Sequence, residues 1–261
     1  MSDTQPVSPE RLVKSVERVR DLGEVFTPAA TVQAMLDLLP ESMWSPHPSP
    51  TFLEPACGDG NFLVAILDRK LEMVAAAYAA GTLPAGADVD ALQFHALEAV
   101  SSIYAVDISV DNVIGGTPGH EIGARKRLLT VFLNWFEKAT GGTRSSLSTV
   151  QPIAQWLINR NIIVGNMLAT NADGEPSGRD DLPIIEYDWK PTTRTVAVTA
   201  TTFGAVMSAG TAETTGVMSL FDTFTPAVTW EGAAFDLRKA PISEPALTDI
   251  EARNGTTRRT A

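Results

Sequence analysis

The sequence lacks the cysteines for an internal disulfide and the long apolar run for a membrane span. Cys57 is the single cysteine among 261 residues, so no disulfide framework can form within the chain, and such cysteine usage is typical of a reducing compartment. There is neither an apolar run of 18 uncharged residues nor a signal-like start. We therefore expect a cytoplasmic protein with no membrane partner.

Basic residues are also few. The chain has 20 lysines and arginines against 31 acids, a net charge of -11, and a chain of this charge as a whole repels a phosphate backbone. Contact with nucleic acid would then need a local patch or a partner subunit. The run Arg125, Lys126 and Arg127 is the best local candidate for a phosphate contact, although such runs are usually solvated helix faces.

Histidines are scarce as well. His47, His95 and His120 show no metal-ligand spacing in the sequence, so we expect surface histidines and no metal site. Cys57 has no base beside it in sequence, which favours a packing role over a nucleophilic one.

What the sequence does contain is an alternation of short apolar strands with helices. Strands are predicted at residues 51–54, 103–108 and 161–168, with helices between them. One of these helices is predicted from about residue 121 to 137, with Leu128, Leu129, Phe132 and Phe136 as its apolar stripe, and a short one at residues 151–159. This order predicts an α/β fold with a mainly parallel, Rossmann-like doubly wound sheet. A helical N-terminal segment, with Thr27 as the N-cap of its second helix, would precede this sheet.

The later part of the chain changes character. LPIIEYDWKP and RTVAVTATTF alternate in a way that suits a pair of strands, and the text beyond Gly204 is rich in Thr, Ala and Gly. We divide the chain into N-terminal helices (1–45), the main domain (46–204) and a partly irregular or β-rich C-terminal extension (205–261).

The stretch TFLEPACGDGNFLVAIL, residues 51–67, is the most informative part of the sequence. A glycine turn between a strand and a helix is where α/β folds bind ligands, because the helix N-terminus offers free N–H groups. A dinucleotide fingerprint would need a third glycine where GDGNFL has Leu63. Asp107, at the end of the next strand, is placed to accept hydrogen bonds from ribose hydroxyls in either class of nucleotide.

Three motifs in one order identify a resemblance. EPACGDGNFL resembles the cofactor motif of the S-adenosylmethionine-dependent N6-adenine DNA methyltransferases of restriction-modification and phage systems. The upstream GEVFTPAATVQAML is similar to that family's Phe-Thr-Pro turn, and NIIVGNML to its adenine-contacting strand. Together the motifs cover residues 22–170.

The resemblance implies S-adenosylmethionine as the cofactor and assigns its contacts. The residues it implies fall into three groups: Phe26, Thr27 and Pro28 beside the methionine end; Glu54, Ala56, Gly58 and Gly60 as the cradle; and Asp107, Ile108, Asn166 and Met167 around the ribose and adenine. Asn166 departs from the family, which usually has Asp at this position. An amide oxygen can still accept a hydrogen bond there, without charge assistance.

The family's catalytic Asn-Pro-Pro-Tyr motif is missing. Its place is taken by EYDW, in which Asp188 could accept from the target amino group while Tyr187 or Trp189 stacks on a flipped base. For Trp189 the alternative is a core or hairpin anchor.

The function that the resemblance implies is methyl transfer to adenine N6 in DNA, with DNA and a restriction-modification subunit as expected partners. One alternative is a catalytically degenerate cofactor-binding subunit or decoy. The other is a methyltransferase of protein or small molecules, which the acidic net charge would suit better than bare DNA.

Overall fold

A computed structural model of the protein describes residues 16–22, 24–84, 86–116, 121–141, 144–212 and 232–236. Within these residues lie eight α-helices: α1 Val16–Leu22, α2 Ala29–Leu36, α3 Asn61–Ala79, α4 Val89–Ser101, α5 Val110–Val113, α6 Ala124–Thr140, α7 Arg144–Asn161 and α8 Phe203–Ala212. Short 3-10 helices span Glu41–Trp44 and Arg179–Asp181. The six described strands form two separate sheets, and the fold is mixed α/β.

The first sheet is parallel, as predicted. It consists of β1 (Phe52–Glu54), β2 (Ile103–Asp107) and β3 (Ile162–Val164) in the order β1-β2-β3. Parallel strands joined through helices are covered by those helices. Their sequences are therefore continuous apolar runs and do not alternate between apolar and polar residues. Ile103, Ala105 and Ile162 are fully buried.

The second sheet is antiparallel. β4 (Pro183–Lys190) pairs with β5 (Thr195–Thr202), confirming the predicted strand pair, and β5 also pairs with β6 (Gly232–Asp236). At the turn of the β4–β5 hairpin, Arg194 donates to Asp88 Oδ2 over 2.7 Å, which joins the hairpin to the start of α4.

Helices cover the parallel sheet with apolar stripes at helical spacing. On α6, Leu128, Phe132 and Phe136 recur every four residues and are at most 1% exposed, and the predicted Leu129 packs partly buried against them. Residues at this spacing share one helix face. α6 packs on α3 and α7, so the predicted stripe forms the centre of the helical layer.

Several predicted boundaries need correction. Pro28 rather than Thr27 occupies the N-cap position of α2, which has no side-chain cap. The helix predicted at residues 151–159 begins at Arg144 and continues through Pro152. Residues 203–212 form α8 rather than the predicted irregular extension. Residues 1–15 of the predicted N-terminal helical segment and residues 237–261 of the predicted C-terminal extension lie outside the described residues.

The described part of the chain holds no helix that is both long and apolar enough to cross a membrane.

Candidate functional site

The glycine turn connects β1 to α3 at the carboxyl edge of the parallel sheet. Cys57 N donates to Val106 O over 3.0 Å, which fixes the turn against β2. Gly58 and Gly60 have φ of +55° and +95°, a region that favours glycine, and Gly60 is the N-cap of α3. The backbone of the predicted cradle therefore has the left-handed turn that its sequence requires.

Asp107 is the centre of the hydrogen bonds at this edge. Its Oδ2 accepts from Gly58 N over 2.8 Å, and its Oδ1 accepts from Ser109 N over 2.9 Å and from Asn112 Nδ2 over 3.0 Å. A carboxylate offers about four acceptor positions. Three are used within the protein, and about one remains on Oδ2 for a ligand donor.

The Phe-Thr-Pro segment lies against the turn. A Cβ built on Gly58 would be 3.0 Å from Phe26 Cε1, and Thr27 O accepts from Asn61 Nδ2 over 3.0 Å. Pro28 follows directly as the N-cap of α2. Two motifs separated by about 30 residues in sequence thus form one surface, as the resemblance implied.

Polar side chains of α1 and α5 hold the segment that precedes Phe26 in place. Arg18 of α1 donates to both Glu24 and Asp111, and Asn112 donates to Glu24 Oε2 over 3.1 Å. Since Asn112 also donates to Asp107, the N-terminal segment and the Asp107 carboxylate belong to one connected set of hydrogen bonds. The position of Phe26 is therefore coupled to that of Asp107.

The carboxylate of Glu54 gives the turn its charge. Glu54 Oε1 accepts from Ala56 N over 3.2 Å, and partial burial raises the pKa of Glu54, with a further contribution from the nearby Asp107. Burial also raises the pKa of the Cys57 thiol, again with Asp107 contributing, so this thiol is not an activated nucleophile. Two neighbouring carboxylates favour a cationic ligand group.

The loops after β2 and β3 complete the edge. Gly165 N donates to Asp107 O over 2.9 Å, which brings the predicted adenine residues beside the turn. Ile108 is 56% exposed and offers apolar surface there. Asn166 Oδ1 accepts from Leu168 N, and Met167 packs against the small buried cluster of Val106, Ile163 and Leu182.

Gly60 lies close to the first residue of α6. A Cβ on Gly60 would meet Ala124 Cβ at 3.1 Å, so this glycine permits the close approach of α6 to the turn. Gly58 faces Phe26 instead. Of the two glycines, Gly58 is therefore the one that contacts the Phe-Thr-Pro segment.

The predicted catalytic residues lie at the opposite edge of the sheet. Trp189 is buried and donates from Nε1 to Ser101 Oγ over 2.8 Å, and Tyr187 OH donates to Asn161 Oδ1 over 2.9 Å. Ser101 and Asn161 come just before β2 and β3, at their amino ends. Trp189 is therefore a core anchor, packed edge-on against Phe94.

Asp188 alternates to the other side of β4, where it is exposed and forms an ion pair with Lys190 at 2.6 Å. β4 runs back from Leu182, beside Gly165 at the carboxyl edge, so Asp188 lies about 20 Å along the strand at about 3.3 Å per residue. The geometry thus separates Asp188, Tyr187 and Trp189, the residues predicted to act on the target base, from the cofactor turn.

The basic run on α6 is largely engaged inside the protein. Arg125 donates to Ile162 O and Asn159 O, and Arg127 donates to Asp59 O over 2.9 Å and to Asn61 Oδ1. Lys126 alone of the three has an exposed side chain. Arg127 braces the glycine turn, so the expected phosphate patch is reduced to one lysine.

A second polar cluster, which the sequence analysis missed, lies at the amino edge. His47, His95 and Glu98 each place one ligand-type atom within 4.8 Å of the others. His47 and Glu98 line a cleft of about 480 Å³. The available signal was HALE in α4, because His95 and Glu98 are three residues apart and share a helix face. The third member, His47, is distant in sequence.

Comparison with known proteins gives no match: no family model, no curated protein and no solved structure matches the chain.

Proposed function

We propose that the carboxyl edge binds S-adenosylmethionine and that the chain is the cofactor-binding part of an adenine-N6 DNA methyltransferase. One observation supports this most directly: Phe26, Gly58 and Asp107 come from three separate segments and meet at one turn. The resemblance implies this convergence, whereas a glycine turn with only a structural role would not need the first of these residues.

The charge around the turn favours this cofactor over a dinucleotide. Burial raises the pKa of Glu54, and repulsion from the nearby Asp107 carboxylate adds to this shift. The ammonium and sulfonium groups of S-adenosylmethionine would relieve that repulsion. The pyrophosphate of NAD would add negative charge to it.

The remaining contacts suit an adenosine. The open acceptor position on Asp107 Oδ2 can take one ribose hydroxyl, and the exposed Ile108 next to it offers a flat apolar contact for adenine. Asp107 ends β2 and Ile108 follows it directly, which is the usual place for nucleoside contacts in an α/β sheet.

We also propose the finer fold assignment, a Rossmann-like doubly wound sheet, and strand order supports it. Doubly wound sheets of this class run 3-2-1-4-5-6 in chain order. The described sheet, β1-β2-β3, corresponds to the 3-2-1 half, with β1 as the strand that would pair with a fourth. Among the described residues no strand occupies that outer edge of β1, where Leu53 is 46% exposed.

We propose that the acceptors for the target amino group come from a partner subunit that adds a strand beside β1. The adenine amino group is a weak nucleophile, so its hydrogens need fixed acceptors next to the methyl donor. Asp188 lies too far from the turn to provide one. DNA contact would also depend on that partner, because Arg125 and Arg127 are engaged within the chain.

The second candidate is a catalytically degenerate cofactor-binding subunit or decoy. The specific observation in its favour is the burial of Trp189 and the packing of Tyr187 at the amino edge, which removes the only catalytic replacement that the sequence offered.

Two measurements test the proposal. Calorimetric titration should give tighter binding of S-adenosylmethionine or S-adenosylhomocysteine than of NAD. Phe26→Ala should weaken that binding, with Phe62→Ala as a matched control on the inner side of α3. Mass spectrometry of DNA from expressing cells then separates the candidates, since cofactor binding without N6-methyladenine supports the degenerate subunit. Tighter binding of NAD would refute both.

A further inference from the structure

The cluster at the amino edge contains a hydrogen-bonding conflict. His95 is fully buried, and its Nε2 lies 3.1 Å from Pro84 O, a carbonyl that can only accept, so Nε2 carries the hydrogen. In the neutral ring Nδ1 is then a lone pair. This atom faces Glu98 Oε2 at 3.0 Å, which also presents lone pairs. The contact needs a cation between the two atoms, either a proton or a metal ion.

His47, in the loop after the first 3-10 helix, supplies a third ligand atom. Its Nδ1 lies 2.9 Å from both carboxylate oxygens of Glu98, and its ring is 5.3 Å from the ring of His95. A proton would satisfy one nitrogen–oxygen pair. A metal ion would satisfy all three side chains together, because their ligand atoms all lie within 4.8 Å of one another.

The surroundings match those of a bound metal. Metal-binding histidines usually donate the other ring N–H to a carbonyl, as His95 does to Pro84, and metal-binding carboxylates are themselves hydrogen-bonded. Here Ser49 N donates to Glu98 Oε1 over 3.0 Å. The supporting shell of hydrogen bonds is therefore present around both residues of α4.

We propose that His47, His95 and Glu98 bind a divalent transition-metal ion, best matched by zinc, with one coordination position open to the cleft. Two imidazoles and a carboxylate suit zinc, and three protein ligands with an open fourth position form a tetrahedral site. Ligand atoms about 2.0 Å from zinc lie about 3.3 Å apart. The contacts of 2.9 to 3.0 Å would open by about 0.3 Å on binding, and the side chain of His47 borders the cleft, where it is 22% exposed.

The site does not depend on the proposed cofactor function, because it lies at the other edge of the sheet. Its metal would join the loop after the first 3-10 helix to α4. The open position would present a metal-bound water to a cleft that Tyr104 and Glu186 also line.

The test uses the full chain purified without a histidine tag. After equilibration with zinc and dialysis, elemental analysis should find one zinc per chain. His47→Ala and Glu98→Gln should weaken zinc affinity at least about tenfold, since loss even of an outer-shell partner has that effect. Glu186→Gln removes another carboxylate of the same cleft and should leave the affinity unchanged.

Two further readouts keep the test decisive if a variant fails to fold. Cobalt(II) bound to the wild-type chain should show the intense visible absorption of a four-coordinate ion, and zinc at 100 times its dissociation constant should raise the folding equilibrium constant about 100-fold. Substoichiometric zinc, a six-coordinate cobalt spectrum, or equal zinc affinity in His47→Ala would overturn the proposal.

Discussion

Asp107→Asn is the most informative perturbation of the carboxyl edge, because the change keeps the side-chain shape and alters its hydrogen bonding. The carboxylate accepts from Gly58 N on one oxygen and from Ser109 N and Asn112 Nδ2 on the other. An amide has one acceptor oxygen and one donor nitrogen. Whichever way it turns, its NH2 group must face a backbone N–H.

The less unfavourable orientation keeps the amide oxygen on Ser109 and Asn112. The amide nitrogen then faces Gly58 N, which loses its acceptor in a half-buried place. A buried donor without a partner costs about 1 to 3 kcal/mol, and the lost charge assistance adds to this. We expect the free energy of unfolding to fall by about 2 kcal/mol, or about 30-fold in the folding equilibrium constant.

Urea unfolding measures the loss, and amide hydrogen exchange locates it, because protection of the Gly58 amide should fall more than that of Val106. Asp188→Asn is the matched control, since its exposed ion pair with Lys190 should contribute less than about 1 kcal/mol. A change below about 0.5 kcal/mol in Asp107→Asn, with Gly58 still protected, would refute the hydrogen-bond arrangement at the turn.

Three other predictions follow from single side chains. Gly58→Ala should weaken cofactor binding in calorimetry and lower stability by about 1 kcal/mol, because of the positive φ and the 3.0 Å approach to Phe26; unchanged binding would place the pocket elsewhere. Burial lowers the pKa of Lys70 to about 7, so between pH 7 and 10 the unfolded chain binds more protons than the folded one and stability should rise with pH. Urea unfolding should show a gain of about 2 kcal/mol from pH 7 to 9 relative to Lys70→Met. The same pH dependence in the wild-type chain and in Lys70→Met would contradict this prediction. Trp189→Phe should lower stability by about 1 to 2 kcal/mol through the lost bond to Ser101 and leave cofactor affinity within about twofold, whereas a large loss of affinity would restore its predicted catalytic role.

Local patterns were sufficient for the parallel sheet and the turn. The spacing of Leu128, Phe132 and Phe136 predicted the buried face of α6, and the two glycines predicted a turn that other residues rarely adopt. Both depend on neighbours within a few residues, which is why a single sequence was enough. The contact between Phe26 and Gly58 was predicted only through the family resemblance.

Local patterns could not predict where the EYDW segment lies relative to the parallel sheet. Alternation predicted a strand and its partner, but it does not say on which edge of another sheet the hairpin packs. That choice depends on long-range contacts such as Trp189 with Ser101 and Tyr187 with Asn161. The His47 contact with Glu98 was missed for the same reason, because the two residues are 51 positions apart.

The two edges differ in chemistry because of how the chain crosses the sheet. At the carboxyl edge strands end in loops and helices begin, so backbone N–H groups of Gly58 and Ser109 come close enough to donate to the Asp107 carboxylate. At the amino edge helices end, and the last turns of α4 and α7 bring polar side chains such as Glu98 and Asn161 inward. The hairpin covers these groups with Tyr187 and Trp189. A cofactor with cationic groups suits the first edge, and a metal ion held by imidazoles suits the second.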